Sequence, residues 1–284
     1  MDSDTSLGEA REMFLKSGIV PAGPVRPAIA RAWKRCLTLG VVPHFGHRPR
    51  MVSDEELRAR LAEHEAFLRT AAPFMESLYQ FVQSSGFVVM LADADTCILK
   101  VIGTENADDR AAVYLTPGAI WKEEDTGNTA IGTALTEGAP AQIRAEEHYC
   151  EDLHAWTCSA APIKDPDGQI VGVLDMSGRR DLVHCHTLGM VVAAATAIGN
   201  QMAMDRAVHE LKTANQFKSV IVESISDGVL TIDHRGFITY INSVGARILK
   251  VDQHGIIGRH VRDIVEFRPV ILEVLATGEG YVDR

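Results

Sequence analysis

Histidine and cysteine side chains are concentrated between residues 148 and 158, where residues of these types could hold a metal ion. His148, Cys150, His154 and Cys158 follow the pattern His-x-Cys-x3-His-x3-Cys, and His184-Cys-His186 comes further along. Imidazoles and thiolates are the ligands that zinc prefers. The close ligand pairs of structural zinc sites are missing, and on a helix His148 and Cys150 would point to different sides. We therefore expect no metal, and a structural zinc ion is the less favoured alternative.

The same segment contains two nucleophiles by type, Cys158 and Ser159, with His148 as a candidate general base. Ser159 lacks the Gly-x-Ser-x-Gly elbow of serine hydrolases. The glutamate pairs at positions 123/124 and 146/147 are adjacent in sequence, so on a helix they diverge, and we interpret them as solvated. The sequence also lacks a Gly-x-x-x-x-Gly-Lys-Ser/Thr phosphate loop. We predict that the chain is not an enzyme, and a small hydrolase is the least favoured alternative.

Three neighbouring blocks have the composition of a cavity wall. Glu124-Asp-Thr-Gly-Asn-Thr-Ala-Ile-Gly-Thr-Ala-Leu135 has small residues that let a loop run closely into a helix, and Glu147-His-Tyr149 and Trp156-Thr-Cys-Ser-Ala-Ala-Pro162 follow it. A small-molecule pocket needs an apolar lining and a few polar groups that fix orientation. Trp121 and Trp156 would supply the lining. The polar groups would come from Asn128, Thr129, His148 and Tyr149. The alternative is that both tryptophans are core residues and that Asn128 caps a helix.

The three blocks resemble the sensory GAF domain of sigma-54-dependent transcription activators of the acetoin-operon type. The segment Ala-Arg-Ala-Trp-Lys-Arg-Cys36 resembles the Ser-Trp-x-Arg-Cys block that opens this family, with alanine in place of serine. The positions that match the ligand pocket of GAF folds are Trp121, Asn128, Thr129, Ile131, Gly132, His148, Tyr149, Trp156 and Cys158.

The resemblance implies a sensor that binds a small organic inducer reversibly, without a cofactor and without transforming it. It also implies that an AAA+ ATPase and a DNA-binding domain, through which the whole protein reaches the sigma-54 RNA polymerase and DNA, lie outside this chain. The alternative is a protein-interaction module whose GAF domain binds no ligand and receives its input from a partner protein.

Hydrophobic periodicity predicts the elements that would position these residues. Residues 1 to about 25 are polar with Pro and Gly, which predicts a mobile arm, and a helix follows at 27–39. Ser53 with Glu56 predicts a helix N-terminus, and apolar residues at helical spacing continue to Phe81, with Pro73 as a break.

Strands are predicted at 87–92, 97–102, 157–163 and 170–176. The turn Lys164-Asp-Pro-Asp-Gly168 joins the last two into a hairpin. A mixture of helices with antiparallel hairpins indicates an α+β fold, here a GAF domain with an antiparallel sheet and flanking helices.

A long helix is predicted over 184–215. Its first half is apolar almost all round, which suits packing on the sheet, and its second half turns polar. Met204, Ala207, Leu211 and Ala214 recur there at roughly heptad spacing, so we expect a homodimer through the helical segment 184–224.

The segment after Phe217 is similar to the opening of PAS domains. Ser226-Asp-Gly-Val-Leu-Thr-Ile232 and Phe237-Ile-Thr-Tyr-Ile-Asn242 predict two strands around the turn at 233–236. By comparison with PAS domains, three further strands would follow Arg284, so we expect a part of a longer protein. Haem or flavin binding is not favoured, because the flavin motif is absent and His254 and His260 lie in polar sequence.

The predicted organisation has four parts: an N-terminal arm and helix (1–52), a GAF sensor domain (53–205), a connecting signalling helix (206–224) and the N-terminal part of a PAS domain (225–284). Five irregularly spaced cysteines favour a reducing compartment over a disulfide framework, and no segment predicts a membrane span or a signal peptide, so we expect a cytoplasmic protein.

The net charge of −10 disfavours nucleic-acid binding by this chain itself, because neutralisation of phosphates supplies most of the non-specific affinity. The one local basic cluster is interpreted as a solvated face rather than as a DNA site. Its members are Arg26, Arg31, Lys34, Arg35, Arg48 and Arg50.

Overall fold

A computed structural model of the chain describes residues 6–44, 48–103, 114–182, 184 and 186–264. The chain divides into two units, Met1–Asp205 and Arg206–Arg284. The first unit contains two hydrophobic clusters, one on each side of a sheet, and the second contains a smaller cluster of its own.

The sheet of the first unit has five antiparallel strands: β2 (Val88–Asp93), β3 (Ile98–Ile102), β5 (Ala141–Arg144), β6 (Trp156–Lys164) and β7 (Ile170–Arg179). Their order across the sheet is β3-β2-β7-β6-β5. Two short strands, β1 (Arg50–Met51) and β4 (Ala119–Ile120), pair separately. The α+β fold and the four predicted strands are confirmed, each within a few residues of its predicted bounds.

The turn between β6 and β7 has the glycine conformation and the aspartate hydrogen bonds that its sequence predicts. Gly168 has φ +81, a conformation that favours glycine, and the Asp165 carboxylate accepts hydrogen bonds from the backbone N–H groups of Asp167 and Gln169.

Two helices cover one face of this sheet, the face that we call the outer face. They are α4 (Glu65–Val82) and the first part of α7 (Thr187–Ser224). Phe67, Met75 and Leu78 of α4 and Val191 and Ile198 of α7 are buried there, in one cluster with residues of β2, β6 and β7. The apolar half of the predicted long helix therefore packs on the sheet as expected.

The predicted break at Pro73 is wrong, because α4 continues through it. Proline removes one N–H and crowds the carbonyl four residues earlier, here that of Arg69. Pro73 is exposed, so water can bind that carbonyl, while the buried face of α4 holds the helix on the sheet. The chain breaks instead at His64 (φ −96, ψ 14), which separates α3 (Asp54–Glu63) from α4.

The prediction of a mobile N-terminal arm is also wrong for the described part. Residues Leu7–Ser17 form helix α1, and a Ser6–Glu9 capping box begins it. Phe14 of α1 is fully buried and stacks on Trp33 of α2 (Pro27–Thr38), with 5.6 Å between ring centroids. The capping box was readable in the sequence, but the surrounding Pro and Gly residues obscured it.

Three arginines of the basic cluster form ion pairs that connect α2 and the residue before it to other parts of the first unit, although Arg26 and Arg31 stay partly exposed. Arg35 pairs with Glu123 at 2.7 Å and with Glu137 at 2.7 Å, and Arg26 pairs with Glu147 at 2.5 Å. Glu123 and Glu147, which the sequence analysis took to be solvated, are buried. Arg31 also reaches Glu137. The two glutamates of each adjacent pair point in different directions, as predicted. One glutamate of each pair, Glu123 or Glu147, is buried and forms an ion pair with an arginine.

The helix α7 is 38 residues long. Its length and composition would allow it to cross a membrane, and it is the one helix of this kind among the described residues. A single helix of this kind is weak evidence for a span. The buried residues of α7 lie in its first part, where they pack on the sheet.

The second unit begins with the end of α7 and continues with an antiparallel hairpin of β8 (Leu230–Ile232) and β9 (Ile238–Ile241), followed by α8 (Ser243–Leu249). Asn242 is fully buried, and its side chain caps α8 through the Gly245 N–H and also binds the backbone at Val222, Asp227 and Val229. The predicted strand-turn-strand opening is confirmed, and the segment after residue 264 lies outside the described residues.

Candidate ligand-binding site

The face of the sheet opposite α4 and α7, which we call the inner face, carries the residues that the sequence pointed to. Side chains alternate along each strand, so Trp156, Cys158 and Ala160 of β6 share this face. The inner face is covered by α1, α2, residues of the segment 114–121 and a short helix, α6 (Ala130–Glu137).

A tight loop delivers α6 to this face. It follows the helical turn α5 (Glu123–Thr126), and Gly127 has φ +72. A Cβ at this position would lie 2.7 Å from the Cys150 sulfur, so only glycine fits. Thr129 then caps α6 by accepting a hydrogen bond from the Gly132 N–H at 3.1 Å. The small residues of this block serve the close approach that the sequence analysis expected.

Asn128 is fully buried and binds backbone groups on both sides of His148. Its Nδ2 donates to the Glu147 carbonyl at 2.9 Å, and its Oδ1 accepts from the Tyr149 N–H at 2.5 Å. The Trp33 indole donates to the same Glu147 carbonyl at 2.8 Å. These contacts fix the loop 147–149 against α2 and α6. Much of the hydrogen-bonding capacity of Asn128 and Thr129 is therefore used inside the protein.

The loop 145–154 contains two 3₁₀ turns, at Ala145–Glu147 and Glu151–Leu153. It does not form the α-helix that was assumed when His148 and Cys150 were considered as metal ligands. Among the described residues, no group of three His, Cys, Asp or Glu side chains is arranged to hold a metal ion. Cys185 lies outside the described residues. Burial raises the pKa of the Cys150 thiol to about 12 and raises that of Cys158 further, so both thiols are protonated near neutral pH and are poor nucleophiles.

His148 is fully buried, and within the described ranges one of its two ring nitrogens has a partner. Its Nδ1 lies 3.0 Å from the Ala145 carbonyl, to which it can only donate, whereas Nε2 has no hydrogen-bond partner among these residues. Burial lowers the pKa of His148 to about 4, with a smaller contribution from His154. At neutral pH the ring is therefore uncharged and has a free lone pair on Nε2, which can accept a hydrogen bond.

Replacing His148 with asparagine tests this buried neutral ring. The unfolded protein binds a proton at His148 near pH 6.5 and the folded protein only near pH 4, so stability is lost as the pH falls through this window. The advantage of the wild type over His148→Asn should shrink by about 1.4 kcal/mol for each pH unit between these values. Urea unfolding at pH 4.5 to 7.5 measures it. An advantage that does not change with pH would contradict the lowered pKa.

The other predicted pocket residues surround the same face. Trp121 and Ile131 are buried in the inner cluster, and the Trp121 indole donates to the Tyr114 carbonyl at 3.3 Å. The Tyr149 ring lies 6.5 Å from the Phe14 ring, edge to face. Trp156 is half-buried at the start of β6, beside this cluster. The structure thus brings the predicted residues to one side of one sheet.

One residue of this face was missed by the sequence analysis. Asp175 lies in the middle of β7 and is 1% exposed, with Ala160 of β6 and Met90 of β2 opposite it. Its Oδ2 accepts a hydrogen bond from Ser177 at 2.6 Å, and its Oδ1 has no partner in the part of the chain that the structure describes. An aspartate inside the apolar run Ile170-Val-Gly-Val-Leu-Asp-Met176 was the signal that could have revealed it.

Comparisons with known proteins agree with this architecture. The family model described as MimR, N-terminal domain, matches residues 3–203, and a PAS fold model matches residues 216–283. In the crystal structure of the Escherichia coli DhaR(N)-DhaL complex, a chain with 21% identity has a TM-score of 0.79, with 89% of this chain and 86% of that chain covered. At this identity the likeness concerns the fold.

Two of the curated relatives are regulators of transcription by name. A signal-transduction and transcriptional-control protein of Clostridium beijerinckii is 32% identical over 90% of this chain and 41% of its own length. The acetoin dehydrogenase operon transcriptional activator AcoR of Bacillus subtilis (strain 168) is 33% identical over 75% of this chain and 35% of its own length. The chain therefore spans less than half the length of these two relatives.

The resemblance found in the sequence is thereby confirmed, and so is the GAF-like α+β fold of the first unit. This chain belongs to the family of the MimR N-terminal domain, the sensory region of operon activators, and continues into a PAS fold.

Proposed function

We propose that this chain is the sensory region of a bacterial sigma-54-dependent transcription activator, and that its first unit binds a small organic inducer reversibly. The observation that carries the proposal is the inner face of the sheet. There, aromatic side chains form part of an apolar cluster, and Asp175 of the same face is buried with one carboxylate oxygen that has no partner among the described residues. The neighbouring loop carries the buried His148, whose Nε2 likewise has no partner there. An apolar surface with a few polar groups free to bind is what a ligand site requires.

The residues proposed to contact the inducer are those with apolar surface or free polar atoms on this face. Trp121, Ile131, Tyr149 and Trp156 would supply the lining, His148 an acceptor and Cys158 a small polarisable side chain. Asn128 and Thr129 would act mainly by fixing the loop and α6. No catalytic residue is assigned, because the buried thiols are protonated and the inducer is not transformed.

Signal transfer would use the long helix, because α7 packs on the outer face of the same sheet and its chain leads directly to the PAS fold. An inducer can shift such an equilibrium only by binding one packing of the sheet and helix more tightly than the other. The sequence contains no phosphate loop, so other domains of the activator would hydrolyse ATP and bind DNA. The expected location is the cytoplasm.

A second candidate is a protein-interaction module, and the exposed apolar residues of α7 favour it. Met204 and Leu211 are each 64% exposed, and Ala207 and Ala214 on the same stripe are also exposed. Such a stripe suits a homodimer or a partner helix. The DhaR(N) chain, which has a similar fold, was crystallised in a complex with DhaL, so a chain of this fold can bind a protein partner.

Thermal unfolding of the whole chain against a panel of small ketones, diols, alcohols, phenols and carboxylates separates the two candidates. All three tryptophans lie in residues 1–205, so tryptophan fluorescence follows the sensor unit alone. A compound at a hundred times its dissociation constant should stabilise the unit by about 2.7 kcal/mol. No shift with any compound class would favour the partner-binding module.

Replacing Trp156 with alanine should abolish the response to the compound that gives the largest shift, without unfolding the protein. Trp156 is half-buried at one end of β6, so its loss removes lining from the site more than support from the core. We expect at least a tenfold loss of affinity, about 1.4 kcal/mol or more. Phe81→Ala is the matched control, because this aromatic residue is 79% exposed at the end of α4. Equal affinity in Trp156→Ala and wild type would remove Trp156 from the site.

A further inference from the structure

Asp175 is the acidic group with a buried, unpartnered oxygen among the residues that the structure describes. It is 1% exposed, its Oδ2 is held by the Ser177 hydroxyl at 2.6 Å, and its Oδ1 has no hydrogen-bond partner in the described part of the chain. Buried polar atoms are almost always paired, because leaving one unpaired costs free energy. An unpaired oxygen at the centre of a sheet therefore needs an explanation.

Another buried aspartate shows how the same fold satisfies a carboxylate whose role is structural. Asp93, which is 2% exposed, binds Arg60 at 2.8 Å through Oδ2, and its Oδ1 accepts from the backbone N–H groups of Asp95 and Cys97. Both oxygens of Asp93 are thus occupied. Asp175 has no such cation among its partners in the described residues, and only one of its oxygens is used.

The surroundings of Asp175 are small side chains on the inner face. Ala160 lies directly opposite on β6, Cys158 and Ser177 form the next pair along, and Ala130 and Ala134 of α6 belong to the same cluster. The side chains beside Asp175 on this face are therefore small, and the aromatic residues proposed to contact the inducer belong to the same inner cluster. Asp175 therefore lies on the inner face, in register with residues of the proposed site.

We propose that Asp175, positioned by Ser177, is the residue that anchors the inducer, and that it selects an uncharged molecule with a hydroxyl group while rejecting anions. This inference rests on the proposed function of the site. A hydroxyl group both donates and accepts, so it can pair with a carboxyl group in either protonation state. A carboxylate or phosphate ligand would instead approach a buried acid with no compensating cation among the described residues.

The electrostatics of the site agree with this geometry. Burial raises the pKa of Asp175 to about 7, against a small opposing contribution from the Ser177 hydrogen bond. The apolar surroundings already disfavour the negative charge of the Asp175 carboxylate. The negative charge of an anionic ligand beside it would be still less favourable.

Two matched pairs of compounds test the inference: 1,2-propanediol against lactate, and hydroxyacetone against pyruvate. In each pair the second compound replaces a CH2OH group by a carboxylate at nearly constant size. The whole chain is titrated with each compound, with the thermal midpoint of tryptophan fluorescence as the readout. We expect the wild type to bind the neutral member at least about tenfold more tightly, the effect of one hydrogen bond and one repulsion.

Asp175→Asn should reverse or abolish this preference, because asparagine keeps the shape, removes the acid and offers an N–H donor to an anion. Ser177→Ala, which frees Asp175 without removing it, should weaken the neutral member several-fold and keep the preference. Asp93→Asn is the control for an acid-to-amide change at a buried site, and it should leave the preference unchanged. If Asp175→Asn fails to fold, Ser177→Ala still tests the anchoring.

The outcomes separate this inference from the proposed function. Equal binding of the carboxylates by the wild type, or an unchanged preference in Asp175→Asn, would overturn the role of Asp175 while leaving a sensor in place. Shifts with ketones that lack a hydroxyl group, but with none of the four compounds, would do the same. No shift with these compounds or with any class of the wider panel would overturn both.

Discussion

Replacing Arg11 with alanine is expected to lower the free energy of unfolding of the sensor unit by about 3–5 kcal/mol. The side chain of Arg11 is 5% exposed, although it lies in the segment whose sequence predicts a mobile arm. Its guanidinium donates to the Tyr149 carbonyl through Nη2 at 2.6 Å and through Nε at 3.2 Å, and to the Pro43 carbonyl at 3.3 Å. The same group pairs with Glu151 at 3.4 Å.

The size of this effect follows from what the substitution leaves behind. Alanine would leave the Tyr149 carbonyl without this donor, and an unpaired buried polar group is expensive. The Pro43 carbonyl would keep its hydrogen bond from the Glu151 N–H, while the Glu151 carboxylate would lose its arginine. It would also release α1, which carries Phe14 into the inner cluster. Since Tyr149 belongs to the proposed site, the loss should extend to the response to inducing compounds.

Urea unfolding followed by tryptophan fluorescence measures the loss, since the three tryptophans report on this unit. The control is Lys16→Ala on the same helix, because Lys16 is 79% exposed and its ion pair is with Glu12 of its own helix at 3.6 Å. We expect a change within about 0.5 kcal/mol for this control. Equal stabilities of Arg11→Ala and Lys16→Ala would mean that α1 contributes little to the unit.

The contrast between Arg11 and the strands shows which parts of the fold local sequence can predict. The hairpin of β6 and β7 was predictable because Pro166 and Gly168 specify a turn and the strands on either side are apolar. The burial of α1 was not, because it depends on contacts such as Arg11 with Tyr149, 138 residues apart. The sequence around a charged residue in a polar segment does not show that the residue will donate hydrogen bonds to carbonyls far away in the chain.

The same reasoning applies to the site. The aromatic residues and the glycine-rich loop were predictable from composition and resemblance, and they lie on one face of the sheet as expected. Asp175 was missed because strand periodicity shows that a residue is buried, but not whether its polar atoms have partners. Glu123 and Glu147 were misjudged for a related reason: their arginine partners lie in α2 and just before it, about 90 to 120 residues earlier.

Replacing Asn128 with alanine is the second change with a large expected effect, about 2–4 kcal/mol in the free energy of unfolding. One buried side chain here satisfies a carbonyl and an N–H on either side of His148, at Glu147 and Tyr149. Alanine would leave the Tyr149 N–H buried without this acceptor. Because Trp33 also donates to the Glu147 carbonyl, that end of the loop would keep one anchor. The loop 147–149 should therefore loosen at Tyr149 first.

Asn128→Asp and Asn200→Ala complete the experiment. Aspartate keeps an acceptor for the Tyr149 N–H but turns a carboxylate oxygen towards the Glu147 carbonyl, so it should be about as damaging as alanine. Asn200 is exposed on α7, and its replacement by alanine should change stability by no more than about 0.5 kcal/mol. Measured without any added compound, a large loss in both Asn128 variants assigns the residue to the loop. If both Asn128 variants instead keep wild-type stability but lose the response to a stabilising compound, Asn128 contacts the inducer directly. Its hydrogen bonds would then contribute more to the complex than to the fold.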